Sequence, residues 1–194
     1  MRCWPLKTLV AAFCLCSPVL INWQTAGAST SVPPCSQPEL QVTFSGIRAG
    51  TGNFNMFFLV RNVSSKNCTL RGFPQPSFRG AKNVQLQVPY VSSADSDGND
   101  LGGLRPGTAI PTVVVEAGHG VASFSIYGRD EPHTSSLKGC EEWRRMLVEL
   151  PGVKSAVTVY RLTQNAMSYL WCGSIVVHPV VPGRSGTDPV NENL

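Results

Sequence analysis

The sequence predicts an all-β domain, an immunoglobulin-like antiparallel β-sandwich with two disulfides and at most one short helix. Three observations carry this. The 194 residues include 18 Gly and 15 Pro with only 14% charged residues, which excludes a coiled coil or long-helix protein, while 42% hydrophobic content excludes a disordered chain. Apolar and polar residues alternate with period two over a series of short runs separated by Gly, Pro, Asn and Ser. The seven cysteines become an even set of four once an export segment is set aside. The length suits one domain with a core of its own.

The N-terminus has the grammar of a secretory signal peptide. Arg2 and Lys7 precede an apolar run from Leu9 to Ile21, followed by Ala26-Gly27-Ala28 and then Ser29. The run contains Pro18 and is shorter than the roughly 20 residues a membrane-spanning helix needs. Cleavage is expected between Ala28 and Ser29, giving a signal peptide at 1–28, a domain at 29–180 and a flexible tail at 181–194. Lipidation requires a small residue before the modified cysteine, whereas Cys14 follows Phe13, Cys16 follows Leu15, and Cys35 follows Pro34 far from the apolar run. The mature chain is therefore expected to be soluble, without a stable membrane span, and secreted to the extracellular space or cell wall.

Cleavage removes Cys3, Cys14 and Cys16 and leaves Cys35, Cys68, Cys140 and Cys172. An oxidising compartment favours disulfides among them. Zinc ligation usually shows closely spaced ligand pairs, and no C-x-x-C is present. Four cysteines allow three pairings, which spacing alone leaves open. Without Arg2 and Lys7, fourteen basic residues face twelve acidic ones, a net charge of +2. The charges look scattered, with Arg144-Arg145 beside Glu141-Glu142. A nucleic-acid partner lacks its usual basic stripe.

Leu40, Val42 and Phe44 alternate with polar residues and predict a half-buried strand. In Phe54–Val60, Phe54, Met56, Phe58 and Val60 form one apolar face, and Phe57 and Leu59 lie on the other. This predicts a central strand whose second face is covered by a loop or left for a partner, the loop being favoured. Val84, Leu86 and Val88 mark another strand. Thr112–Glu116 and Val121–Tyr127 bracket Ala117-Gly118-His119-Gly120 and read as a hairpin. Met146–Leu150 closes at Pro151-Gly152, and Ala156–Leu162 with Trp171–Val177 reads as the last pair. Only Ser135–Arg145 has helical character. Ser92–Ile110 is rich in Gly, Pro and Asp and reads as a long surface loop.

Catalytic signatures are absent: no G-x-S-x-G, H-E-x-x-H, phosphate-binding loop or dinucleotide fingerprint occurs. His119, His133 and His178 are scattered along the chain, and the carboxylates Glu141-Glu142 and Asp130-Glu131 lack the spacing of an acid–base pair. No catalytic residue, cofactor or metal is expected. Asp95-Ser96-Asp97-Gly98-Asn99-Asp100 has the donor density of a calcium loop, but Asp100 and Pro106 occupy the sixth and twelfth positions, where Gly and Glu belong. A polar loop accounts for it better. Asn62-Val63-Ser64 and Asn67-Cys68-Thr69 are formal glycosylation sequons.

The run Asn62-Val63-Ser64-Ser65-Lys66-Asn67-Cys68-Thr69-Leu70-Arg71-Gly72-Phe73-Pro74 resembles an N-x-S motif followed by C-x-L-x-G-[YF]-P. Glu116-Ala117-Gly118-His119-Gly120-Val121-Ala122 is similar to a strand-turn-strand L-x-P-G-x-x-A segment, with Ala117 in place of Pro. Leu150-Pro151-Gly152 and the stretch from Cys172 through Val176 to Pro179-Val180 match its closing part. Through these motifs, spread over about residues 35 to 183, the chain resembles the secreted domain of unknown function 4232 family, common in actinobacterial envelope proteins. The resemblance implies a compact β-sandwich with disulfides Cys35–Cys68 and Cys140–Cys172, bacterial export and no assigned catalytic residues.

The expected function is a non-catalytic module of the envelope or extracellular space that binds a protein, glycan or cell-wall component, with Ser92–Ile110 as the contact loop. The alternatives are a secreted hydrolase whose site converges only in three dimensions, and a purely structural accessory domain.

Overall fold

The computed structural model describes residues 31–36, 39–50, 53–95, 102–129, 140–160 and 169–186, all within one compact unit, Ser31–Leu194. For residues 129, 140–142 and 169–172 it describes the backbone. The strands in chain order are β1 (Leu40–Gly50), β2 (Asn53–Asn62), β3 (Cys68–Leu70), β4 (Gln75–Arg79), β5 (Gln85–Leu86), β6 (Tyr90–Ser92), β7 (Val113–Val115), β8 (Val121–Arg129), β9 (Cys140–Trp143), β10 (Arg145–Glu149), β11 (Val157–Tyr160), β12 (Tyr169–Cys172), β13 (Ile175–Val177) and β14 (Val181–Pro182). No α-helix occurs among the described residues, and Ala81–Asn83 forms a single tight turn with left-handed backbone at Lys82 and Asn83.

Ten strands form one sheet in the order β5-β4-β10-β11-β1-β2-β8-β13-β6, with β14 paired to β8. Two ribbons, β3-β7 and β9-β12, stand apart from it. The inward residues of distant strands share one core: Phe78 of β4, Met146 of β10, Val42 of β1, Phe58 of β2, Phe124 of β8 and Ile175 of β13 belong to a single buried cluster. Strands at opposite ends of a sheet can share a core only if the sheet curls, and the result is a half-barrel. Its centre is an aromatic row across three registered strands. Phe44 lies opposite Phe58, and Phe58 opposite Phe124, with ring centroids 5.8 Å and 4.8 Å apart. Such pairs add about 0.5–1.5 kcal/mol each beyond their burial. Trp143 fills the β4 end, edge-to-face with Phe78 at 5.1 Å.

The all-β expectation and the Cys35–Cys68 disulfide stand, the latter with an S–S length of 2.06 Å. The arrangement departs from an antiparallel sandwich of two facing sheets. Most strands join one continuous sheet, and two pairings are parallel: Val42 with Val159, and Tyr90 with Ile175. The side chains of Cys140 and Cys172 lie outside the described residues, so one disulfide is seen rather than two. The helical expectation for Ser135–Arg145 fails where it is described, because 140–143 and 145 belong to β9 and β10.

Other differences have local causes. The expected hairpin over 112–127 does not form. The turn itself closes, Gly120 donating to the Glu116 carbonyl at 2.9 Å, but β7 pairs with β3 and β8 with β2. A Cβ at Gly120 would lie 2.0 Å from the Glu116 nitrogen, so only glycine lets the chain fold back this tightly. The described residues of Ala156–Leu162 do not pair with Trp171–Val177 either. β11 lies between β10 and β1, and Gly173, at φ 93°, separates β12 from β13. The 84–88 strand shrinks to Gln85–Leu86 because Val84 belongs to the preceding turn and is exposed. Of the segment expected to be a loose tail, Val181–Gly186 is docked, with Val181 and Gly186 buried.

Phe57, on the second face of β2, is buried as expected for a covered face. Arg48 lies over its ring at 5.3 Å, and Gly186 of the C-terminal segment packs against it. A bulge between Phe44 and Gly46 interrupts β1 beside it, and the Ser45 hydroxyl donates to the Phe57 carbonyl at 3.1 Å.

Candidate functional site

Asn62 ends β2 with its side chain fully buried. Its Nδ2 donates to the carbonyls of Lys66 at 2.7 Å and Val115 at 2.9 Å, and its Oδ1 accepts from the Ser64 N–H at 2.9 Å. A buried amide is stable only when its donors and acceptor are satisfied in this way. Asn62 thus ties β2 to β7 and shapes the 62–66 turn, a structural role that its sequon does not reveal. Asn67 accepts from the Ala117 N–H at 2.9 Å. Cys68 is bonded to Cys35, and Leu70 is buried in the core. Gly72, at φ 121°, packs on Pro151 and accepts from the Val180 N–H at 3.0 Å. The Asn62–Pro74 motif therefore joins four separate stretches of chain, at Cys35, Val115–Ala117, Pro151 and Val180, into one scaffold.

A second polar cluster lies on the outer face of β8 and β13. Alternation along β8 directs Ala122, Phe124 and Ile126 into the core and Ser123 and Ser125 outward. Both serines are nevertheless fully buried. Gly186 covers them: its N–H donates to Ser123 Oγ at 2.8 Å, and its carbonyl accepts from Ser125 Oγ at 3.1 Å. The Gly103 N–H reaches the same carbonyl at 3.3 Å.

His178, just past β13, is buried and holds the loop beside them. Its Nδ1 lies 3.1 Å from the Ser93 carbonyl. A carbonyl only accepts, so Nδ1 is the donor in this contact. The loop base closes further through Ser93 N–H to the Val177 carbonyl at 3.1 Å and Leu104 N–H to the Ala94 carbonyl at 2.7 Å. Gly102 and Gly103 make room: a Cβ at Gly102 would lie 1.9 Å from Ser125 Oγ, and one at Gly103 2.5 Å from His178 Nδ1. Gly103 also has φ 79°, a conformation that favours glycine.

Chemically, this cluster is a clamp. It brings Ser125 and His178 together, yet both are buried and the serine hydroxyl is engaged with Gly186. It holds 93–95 and 102–104, the described residues on either side of 96–101, against the sheet. Strand β6 leads directly into the loop and forms one edge of the sheet, with Tyr90 and Val91 exposed.

Of the residues singled out in the sequence, Cys35 and Cys68 meet in the disulfide. In the β9-β12 ribbon the backbone of Cys140 lies directly opposite that of Cys172. Asp95 is exposed and bridges Leu104, while residues 96–100 of the acidic string lie outside the described residues. His119 is exposed in the Ala117–Gly120 turn, and His178 sits in the clamp. Ala28, Ser29, Asp130, Glu131 and His133 lie outside the described residues, as do the side chains of Glu141 and Glu142. Among the described residues no group of three metal-binding side chains converges, and no helix is long and apolar enough to cross a membrane.

Sequence reasoning passed over Ser123, Ser125, Gly102, Gly103 and Gly186. The available signal was the outward polar pair in an otherwise apolar strand, together with a Gly-Gly step in the long loop. No curated protein and no solved structure matches the chain. A family model described as Domain of unknown function (DUF4232) matches residues 35–167, starting at the first cysteine of the disulfide and including the whole Asn62–Pro74 scaffold. Since that match spans more than half of the chain, the protein belongs to the DUF4232 family.

Proposed function

We propose that the protein is an exported, non-catalytic binding module of the cell envelope or extracellular space, and that it meets its partner through the loop following β6. The observation behind this reading is the clamp: His178, Ser123, Ser125 and Gly186 hold the described ends of the segment that follows β6 against the sheet. Binding residues commonly sit on loops positioned in this way. The N-terminal pattern around Arg2, Lys7 and Ala26-Gly27-Ala28 supports export. The directly opposed backbones of Cys140 and Cys172 support a second disulfide suited to an oxidising compartment.

The test is site-specific photocrosslinking in the native host. A photoreactive residue at Asp95 is expected to trap one discrete partner, and the same residue at exposed Thr158 on the sheet is expected to trap none. Equal labelling from both positions, or no adduct from Asp95, would sink the proposal.

A further inference from the structure

Charges that look scattered along the chain gather at the β5 edge of the sheet, the edge opposite β6. Arg79 of β4 and Arg145 of β10 lie directly opposite each other in the antiparallel ladder. Their neighbours Phe78 and Met146 point into the core, so both arginines project from the outer face. Directly opposed side chains have Cβ atoms about 5 Å apart, and like charges there are destabilising.

The turn beyond β4 adds a third cation. Val84 donates to the Ala81 carbonyl at 3.2 Å, with Lys82 at φ 53° and Asn83 at φ 63°. Two left-handed residues in succession make a type I′ turn, in which Gly and Asn are the usual occupants. Lys82 is exposed there, and Asn83 Oδ1 accepts from Arg145 Nη1 at 3.5 Å. The exposed Arg144 follows on, its N–H donating to the Arg79 carbonyl at 2.8 Å.

The side chains of Glu141 and Glu142 on β9 lie outside the described residues, and the described acid on this face of β10 is Glu149, four residues from Arg145. At about 3.4 Å per residue it lies roughly 13 Å away, beyond a Debye length of about 8 Å at physiological ionic strength.

We propose that this corner, built on Arg79, Arg145 and Lys82, binds a linear polyanion carrying repeated phosphate groups. A single exposed ion pair is weak, so a lone anion would not be retained, whereas adjacent cations act together on a multivalent ligand. Two neighbouring guanidinium groups offer planar donor forks that match phosphate oxygens. The site lies across the sheet from the clamped loop and does not depend on that loop's function.

Inorganic polyphosphate is the probe, with binding to the intact mature chain followed by fluorescence anisotropy. With three contacts and a slope of about −0.7 per contact, affinity is expected to fall roughly 100-fold between about 50 and about 500 mM NaCl. R79Q/R145Q is expected to lose about tenfold or more at the lower salt and to flatten the salt slope by about two-thirds. K82G, which relieves the left-handed backbone, is expected to weaken binding about threefold without lowering the melting temperature. K66Q/K154Q removes the same charge elsewhere and is expected to bind like the parent chain. Melting curves establish that each variant is folded, and K82G decides the matter if the double arginine variant is not. Undiminished binding by the corner variants, an equal loss in K66Q/K154Q, or binding to phosphatidylglycerol vesicles in place of polyphosphate would overturn the proposal.

Discussion

Asn62 stabilises the fold chiefly through its buried hydrogen bond to the Val115 carbonyl, which ties β2 to β7. Truncating it removes the Asn62 partner of the buried Val115 carbonyl and of the Ser64 N–H, and leaves the Lys66 carbonyl with the Ser64 hydroxyl alone. N62A is therefore expected to lose about 2–3 kcal/mol, read as a lower urea midpoint at unchanged slope. Gly103 tests the clamp separately. G103A places a Cβ 2.5 Å from His178 Nδ1 on a left-handed backbone. The expected cost is about 1–3 kcal/mol, accompanied by faster proteolysis within 93–104. Unchanged cleavage there would show that the clamp does not order the loop. At this scale the sequence was partly informative. Asn62 stood out as part of a motif, but a sequon says nothing about burial, and only the meeting of β2 with β7 makes the amide a core group.

At the scale of elements, the C-terminal segment and the Cys35–Cys68 disulfide hold the scaffold together. Val181 is buried on β8, and Gly186 caps Ser123 and Ser125. A chain ending at Val180 would expose that apolar surface and leave buried hydroxyls without partners, an expected loss of about 3 kcal/mol visible as a lower melting temperature. The Cys35–Cys68 bond closes a loop of 33 positions. In the chain-entropy model its removal costs about 3–4 kcal/mol, so C35S/C68S is expected to unfold at lower urea than the parent. Peptide mapping without reduction is expected to recover Cys140 joined to Cys172 as well, because their backbones are already opposed. Strand positions were readable from period-two alternation. Strand partners were not, since alternation identifies a buried face without naming the strand beside it. That is why 112–127 reads as a hairpin while β7 and β8 pair elsewhere.

For the whole molecule, topology sets the folding rate. β1 pairs in parallel with β11, joining Val42 to Val159 across most of the domain. Such distant contacts form only after large loop-closure entropy has been met. Refolding by stopped-flow dilution is expected in the millisecond-to-second range, and a microsecond phase carrying the full amplitude would contradict this. Export is tested on the same scale: the intact mass of the secreted protein should correspond to a chain starting at Ser29, without a lipid increment.

The sequence by itself determined the β character, the even set of cysteines beyond residue 28 and the apolar residues on both faces of β2. Each of these follows from local pattern or composition. The tertiary structure alone decided that the strands join one curled sheet, that His178 and two serines clamp a loop, and that Arg79 stands opposite Arg145. These facts depend on which distant segments become neighbours. Period-two patterning is the same whichever strand lies alongside, so pairing is settled by the core that the whole chain buries together.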